Sequence, residues 1–121
     1  MVILDEPFVS EEVKVFLEQS QVPVLDNAFA ARAGEGYRFN RMDEAAFSAR
    51  MAASGEALRL LTVSENSLDW VMRHSRDTAM KDAIALMKDK AAFRRRLVPL
   101  YPDFFFREVA LDALDSVDPD S

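Results

Sequence analysis

Residues 2–25 read VILDEPFVSEEVKVFLEQSQVPVL, and this stretch decides the fold. Val2-Ile3-Leu4 is a short apolar run without alternation, ended by Asp5, Glu6 and Pro7. Such a run reads as a strand buried on both faces, as in a parallel sheet. Ser10 is a good N-cap, and Glu11 and Glu12 follow in the first turn, where the helix dipole favours anions. The helix that follows is expected to turn Val13, Phe16 and Leu17 inward and to close over Glu18–Gln21. Val22-Pro23-Val24-Leu25 then reads as a second strand, with Pro23 near its start. Strand, helix and strand in so few residues are a parallel β-α-β unit.

The pattern continues. Phe29-Ala30-Ala31 suits a helical turn, Gly34 and Gly36 mark a loop, and Tyr37-Arg38-Phe39 suits a short extra strand. Asp43 is placed to cap a helix with Ala46, Phe47 and Met51 facing inward, ending near Gly55. Leu58 to Val63 reads as a third main strand. Ser67 is expected to cap a helix that carries Leu68, Trp70, Val71 and Met72. The fold expected is α/β: a small parallel sheet with flanking helices, Rossmann-like, plus a C-terminal helix-strand arm. The domain reading is an α/β domain over 1–76, a helix-turn-strand arm over 77–109 and an acidic tail over 110–121.

The bulk composition restricts the function. The chain has 121 residues and a formal net charge of −6, which disfavours nucleic acid or an anionic membrane as partner. No cysteine is present, so disulfides and thiolate chemistry are excluded. The one histidine, His74, rules out a multi-histidine metal site within one chain and is expected to be exposed. No apolar run approaches the ~18 residues a membrane span requires. With no basic leader at its start, the chain is expected to be cytoplasmic.

Chemistry is expected at the carboxyl ends of the strands, where open α/β sheets bind ligands. Those ends carry Asp5-Glu6, Asp26-Asn27 and Ser64-Glu65-Asn66-Ser67. One reading makes Ser64, Asn66 and Ser67 hydrogen-bond donors to a small substrate. The other makes them turn and capping residues, which are the same residue types. The stretch 87–109, MKDKAAFRRRLVPLYPDFFFREV, is open in the same way. Lys88, Lys90, Arg94, Arg95 and Arg96 either face a phosphate or form a solvated helix face with partners such as Asp82 and Asp89. Phe104 to Val109 reads as a last strand, and the aspartate-bearing tail from Ala110 is expected to fray. The sequence contains no GxGxxG, GxxxxGK[ST] or GxSxG, and three glycines are few for a phosphate cradle.

Several segments, in order, carry a family likeness. They are Asp5-Glu6-Pro7-Phe8-Val9-Ser10, Val22-Pro23-Val24-Leu25, and Ser64-Glu65-Asn66-Ser67 with Trp70. Lys88-Asp89-Lys90 with Phe93-Arg94 follows and leads into Leu100-Tyr101-Pro102-Asp103-Phe104-Phe105-Phe106-Arg107-Glu108-Val109. In this order and spacing the chain resembles the N-terminal domain that precedes the nucleotide-binding core of ATP-grasp proteins. The resemblance implies a substrate and linker domain of an ATP-dependent carboxylate-amine ligase, using ATP and magnesium and an acyl phosphate. It implies that Lys90 reaches the nucleotide phosphates. The family's glycine-rich loop, second nucleotide lysine and magnesium ligands would lie downstream, so this chain alone is expected to be catalytically incomplete. The alternative is a stand-alone α/β interaction or dimerisation module. In that case the strand Phe104-Val109 would pair with a second copy in a homo-oligomer, since an uncovered strand edge invites pairing; in the ligase reading its partner is the downstream ATP-grasp core.

Overall fold

The structure is a computed structural model that describes residues 1–103 and 106–116. The chain divides into two compact units, Met1–Lys81 and Asp82–Ser121.

The first unit is built on four short strands, β1 (Val2–Ile3), β2 (Val24–Leu25), β3 (Arg41–Met42) and β4 (Leu61–Thr62). All pair in parallel, in the order β3-β2-β1-β4. Val2 is in register with Val24 on one side and Leu61 on the other, and Val24 with Arg41. The central strands are the apolar runs of the sequence. Val2, Ile3, Leu4, Val24 and Leu25 are each at most 3% exposed. Burying a side chain of this kind is worth about 1.5–3 kcal/mol. The edge strands β3 and β4 are only partly covered, and Leu61 is half-exposed. Both edges differ from their sequence expectations. The extra strand forms at Arg41–Met42 and not at Tyr37–Phe39, because a turn at Gly34–Tyr37 delays it and Phe39 joins the core instead. The third main strand is confined to Leu61–Thr62, since a 3-10 turn at Gly55–Ala57 consumes the approach to it.

Helices α1 (Glu11–Ser20) and α2 (Ala28–Ala33) cover one face. Their Val13, Leu17, Phe29 and Ala30 pack with Val2, Leu4, Val9 and Val24. Alternation along a strand sends Ile3 and Leu25 to the opposite face. Ser10 caps α1, its hydroxyl accepting from the Val13 N–H at 3.4 Å, and Gln21 closes it in the left-handed conformation at φ 52°. Phe16 is a correction: it is half-exposed, because Val13 and Leu17 set the inward stripe and Phe16 lies a quarter-turn off it.

Helices α3 (Glu44–Ser54) and α4 (Glu65–His74) complete the unit. Asp43 caps α3 through the Ala46 N–H at 2.9 Å. Phe47 and Met51 are buried as expected, whereas Ala46, in the first turn, is exposed. Phe47 meets Trp70 of α4 edge to face, with centroids 5.5 Å apart. The helix α4 starts three residues earlier than expected: Ser64 is its cap and Ser67 lies inside the first turn.

Helix α5 (Thr78–Lys88) begins in the first unit, capped by Asp77, which accepts from the Met80 N–H at 3.0 Å. In the second unit α6 (Lys90–Leu97) restarts after Asp89, whose carboxylate accepts from the Ala92 N–H at 2.9 Å. No residue of α6 is buried. The expected last strand is not formed over Phe106–Val109, which carry no ladder; Phe104 and Phe105 lie outside the described residues. Glu108 in this segment is instead ion-paired with Arg95. Leu111–Ser116 forms a 3-10 helix where fraying was expected. Among the described residues no helix is long and apolar enough to cross a membrane.

Candidate functional site

The strand order fixes where a ligand crevice belongs. The chain steps outward from β1 to β2 and β3, then returns to the far side of β1 as β4. The carboxyl ends of β1 and β4 therefore flank the topological switch point, where connections diverge and open sheets bind ligands. Two loops meet this point: Asp5-Glu6-Pro7-Phe8, which holds a cis Glu6-Pro7 peptide, and Val63-Ser64-Glu65.

The polar groups at these ends are mostly engaged in building the loops. Asp5 accepts from the Glu6 N–H at 2.8 Å, and Glu6 pairs with Arg32 of α2 at 2.6 Å. Asn27, at the end of β2, donates to the Leu4 carbonyl at 2.8 Å and accepts from the Ala30 N–H at 2.7 Å, so it caps α2 and ties two strand ends together. Ser64 and Ser67 form a reciprocal capping box. The Ser67 N–H donates to the Ser64 hydroxyl, and the Ser64 N–H to the Ser67 hydroxyl. The Ser67 hydroxyl also donates to the Ser64 carbonyl at 2.7 Å, and Ser67 is fully buried. Asn66 stands exposed on the first turn of α4. Lys90 is in the second unit, exposed in the first turn of α6 beside its cap Asp89.

Electrostatics at the switch point favour no anion. Glu11 and Glu12 open α1 and Glu65 opens α4, so carboxylates already stand at the positive ends of both helices. The Glu12 carboxyl is held below the usual carboxylate range, first by its own backbone N–H and then by the Ser10 hydroxyl. A nucleotide phosphate would meet like charge here.

A second constellation, not expected from the sequence, joins α3 and α4. His74 is half-buried, contrary to its expected exposure, and its ring stacks on Trp70 with centroids 4.1 Å apart and planes 13° apart. Its Nδ1 lies 2.8 Å from the Trp70 carbonyl, which can only accept, so Nδ1 carries a hydrogen. Its Nε2 faces a Glu44 carboxylate oxygen at 3.2 Å, and the other Glu44 oxygen accepts from the Trp70 indole at 3.4 Å. The signal available in the sequence is the four-residue spacing of Trp70 and His74, which stacks them on one helix face; Glu44 lies too far along the chain for spacing to reveal it. Among the described residues no group of three or more His, Cys, Asp or Glu gathers as a metal site.

Comparisons with models of known families, with curated proteins and with solved structures returned no match. The molecule is thus a small α/β domain with a parallel sheet and flanking helices, of a generic Rossmann-like kind.

Proposed function

We propose that this chain works by binding rather than by catalysis, as an α/β interaction module whose second unit supplies the contact surface. The observation that carries this reading is the distribution of uncovered apolar side chains. In the second unit Met87, Phe93, Val98, Leu100, Tyr101 and Leu111 are all exposed, with Leu100 at 71% and Tyr101 at 62%. Leu97, Val98 and Tyr101 with the Arg94 stem line an apolar groove of about 190 Å³. Phe8, Val15, Phe16 and Leu61 of the first unit are exposed as well, but the second unit carries more such side chains in a shorter stretch of chain, and apolar surface so gathered marks an association site. The partner proposed is a second copy, giving a homodimer through this segment. Light scattering on the order of tens of micromolar, where modest interfaces are populated, should report a dimer. Replacing Leu100 and Tyr101 together with Asp should return the monomer. A monomer for the unaltered chain at that concentration would overturn the proposal.

A second reading is favoured by one feature of the arm. The helix α6 opens with Asp89 as cap and Lys90 at its first position, the Asp-Lys helix opening expected of an ATP-grasp N-terminal domain. In this reading the chain is the substrate and linker domain of an ATP-dependent carboxylate-amine ligase. Lys90 would contact nucleotide phosphate, and a downstream core would cover the arm and provide the remaining ATP and magnesium contacts. The exposure of Lys90 leaves it free to do so. Its test is Lys90→Ala in a longer protein that contains such a core: the KM for ATP should rise at least about tenfold, as for a lost charge-assisted contact. An unchanged KM would remove Lys90 from the nucleotide site.

A further inference from the structure

A cavity of the first unit has none of Ser64, Asn66 and Ser67 in its lining. It is a cleft of about 770 Å³ between α3, the end of α4 and the start of α5. Its size is that of a small-molecule site. Met51, Ala52, Leu58 and Met80 give it an apolar wall. Arg73, His74 and Arg76 give it a basic one.

The charges in this cleft are not evenly matched. Arg73 and Arg76 are exposed, and neither has an ion-pair or hydrogen-bond partner among the described residues. Asp77 also lines the cleft, but one of its oxygens is spent on the Met80 N–H as the cap of α5. Ser75 is held by accepting from the Asp77 N–H at 3.1 Å, which fixes the short link carrying Arg76. His74 is fixed by Trp70 and Glu44. Two guanidinium groups with no ion-pair partner among the described residues therefore border an apolar wall in a protein of net charge −6. A planar guanidinium matches the paired oxygens of a carboxylate or phosphate. An apolar wall matches a hydrocarbon body.

We propose that this cleft binds a small organic anion, with a carboxylate or phosphate head held by Arg73 and Arg76 and an apolar body against Met51, Leu58 and Met80. The site is independent of the association proposed for the second unit, and its test does not depend on that reading. Trp70 is the only tryptophan of the chain, and it stacks on the cleft-lining His74. Its fluorescence therefore reports on this place alone. The probes are phenyl phosphate and phenylacetate, with benzyl alcohol as the uncharged counterpart, titrated on the full chain with calorimetry alongside. Either anion should give a saturable change with a dissociation constant below about 1 mM, and benzyl alcohol should bind at least about tenfold more weakly. Arg73→Gln combined with Arg76→Gln should weaken the anion at least about tenfold while the circular dichroism and melting temperature stay unchanged, since both side chains are exposed. Met80→Gln, which makes the apolar wall polar without adding a charge beside the arginines, should weaken it as well. Absence of saturable binding by both anions would overturn the proposal. So would equal binding of benzyl alcohol, or unchanged affinity in the double arginine variant.

Discussion

At the scale of single residues, Ser67 separates building from binding. Its hydroxyl both donates to the Ser64 carbonyl and accepts from the Ser64 N–H, and no part of it reaches solvent. Ser67→Ala should therefore destabilise the fold by about 1–2 kcal/mol, the cost of losing the reciprocal half of the capping box and leaving the part-buried Ser64 N–H without its acceptor. Urea denaturation measures it; a loss under about 0.3 kcal/mol would mean that the capping box contributes little. The sequence shows that serines of this segment favour turns and caps. It does not show which serine is the cap, because Ser64 and Ser67 are the same residue type three positions apart and either start leaves Trp70 and Val71 on the helix. His74 is harder to read. Its neighbours Arg73, Ser75 and Arg76 are polar, and the contacts that half-bury it come from Trp70 one turn back and from Glu44 on another helix.

At the scale of elements, the apolar runs are the legible part. Val2-Ile3-Leu4 and Val24-Leu25 announce central parallel strands because both of their faces must be apolar, and both are buried. Edge strands have one uncovered side and no such requirement, which is why β3 and β4 are shorter than, or displaced from, the runs that suggested them. Helix α1 shows the same limit on a finer scale. Val13, Phe16 and Leu17 are all apolar, yet only Leu17 is fully buried and Phe16 is half-exposed. Spacing alone permits a stripe through either 13 and 16 or 13 and 17; the sheet beneath selects the second. The two positions should differ sharply on substitution. Leu17→Ala should cost about 2–5 kcal/mol, the range for emptying a packed core site. Phe16→Ser should fall within about 1 kcal/mol, as for a side chain outside the core. Chemical denaturation of the two variants decides it, and equal losses would place Phe16 in the packed interior after all.

At the scale of the whole molecule, the two units differ in how their backbone is protected. In the first, the Val2 N–H donates to the Pro23 carbonyl at 2.8 Å and the Val24 N–H to Asn40 at 2.9 Å, both inside a buried sheet. In the second, the Phe93 N–H donates to Asp89 at 2.8 Å and the Val98 N–H to Arg94 at 3.2 Å, in a helix with no buried residue. A short helix without an apolar face packed against anything is marginal in water. Amide hydrogen exchange at low protein concentration should therefore be slow at Val2 and Val24, which open only with the whole domain, and fast at Phe93 and Val98. If the arm is where two copies meet, association adds protection to the arm alone and by mass action. Exchange at Phe93 and Val98 should then slow as the protein rises to the order of tens of micromolar, the range of modest interfaces, while Val2 and Val24 change much less. Replacing Leu100 and Tyr101 with Asp should abolish that concentration dependence without accelerating exchange in the sheet. Exchange in α6 that stays fast at every concentration would show that the arm is not the dimer contact, and would leave the longer-protein reading, in which a downstream core covers it, as the account of its exposed apolar side chains.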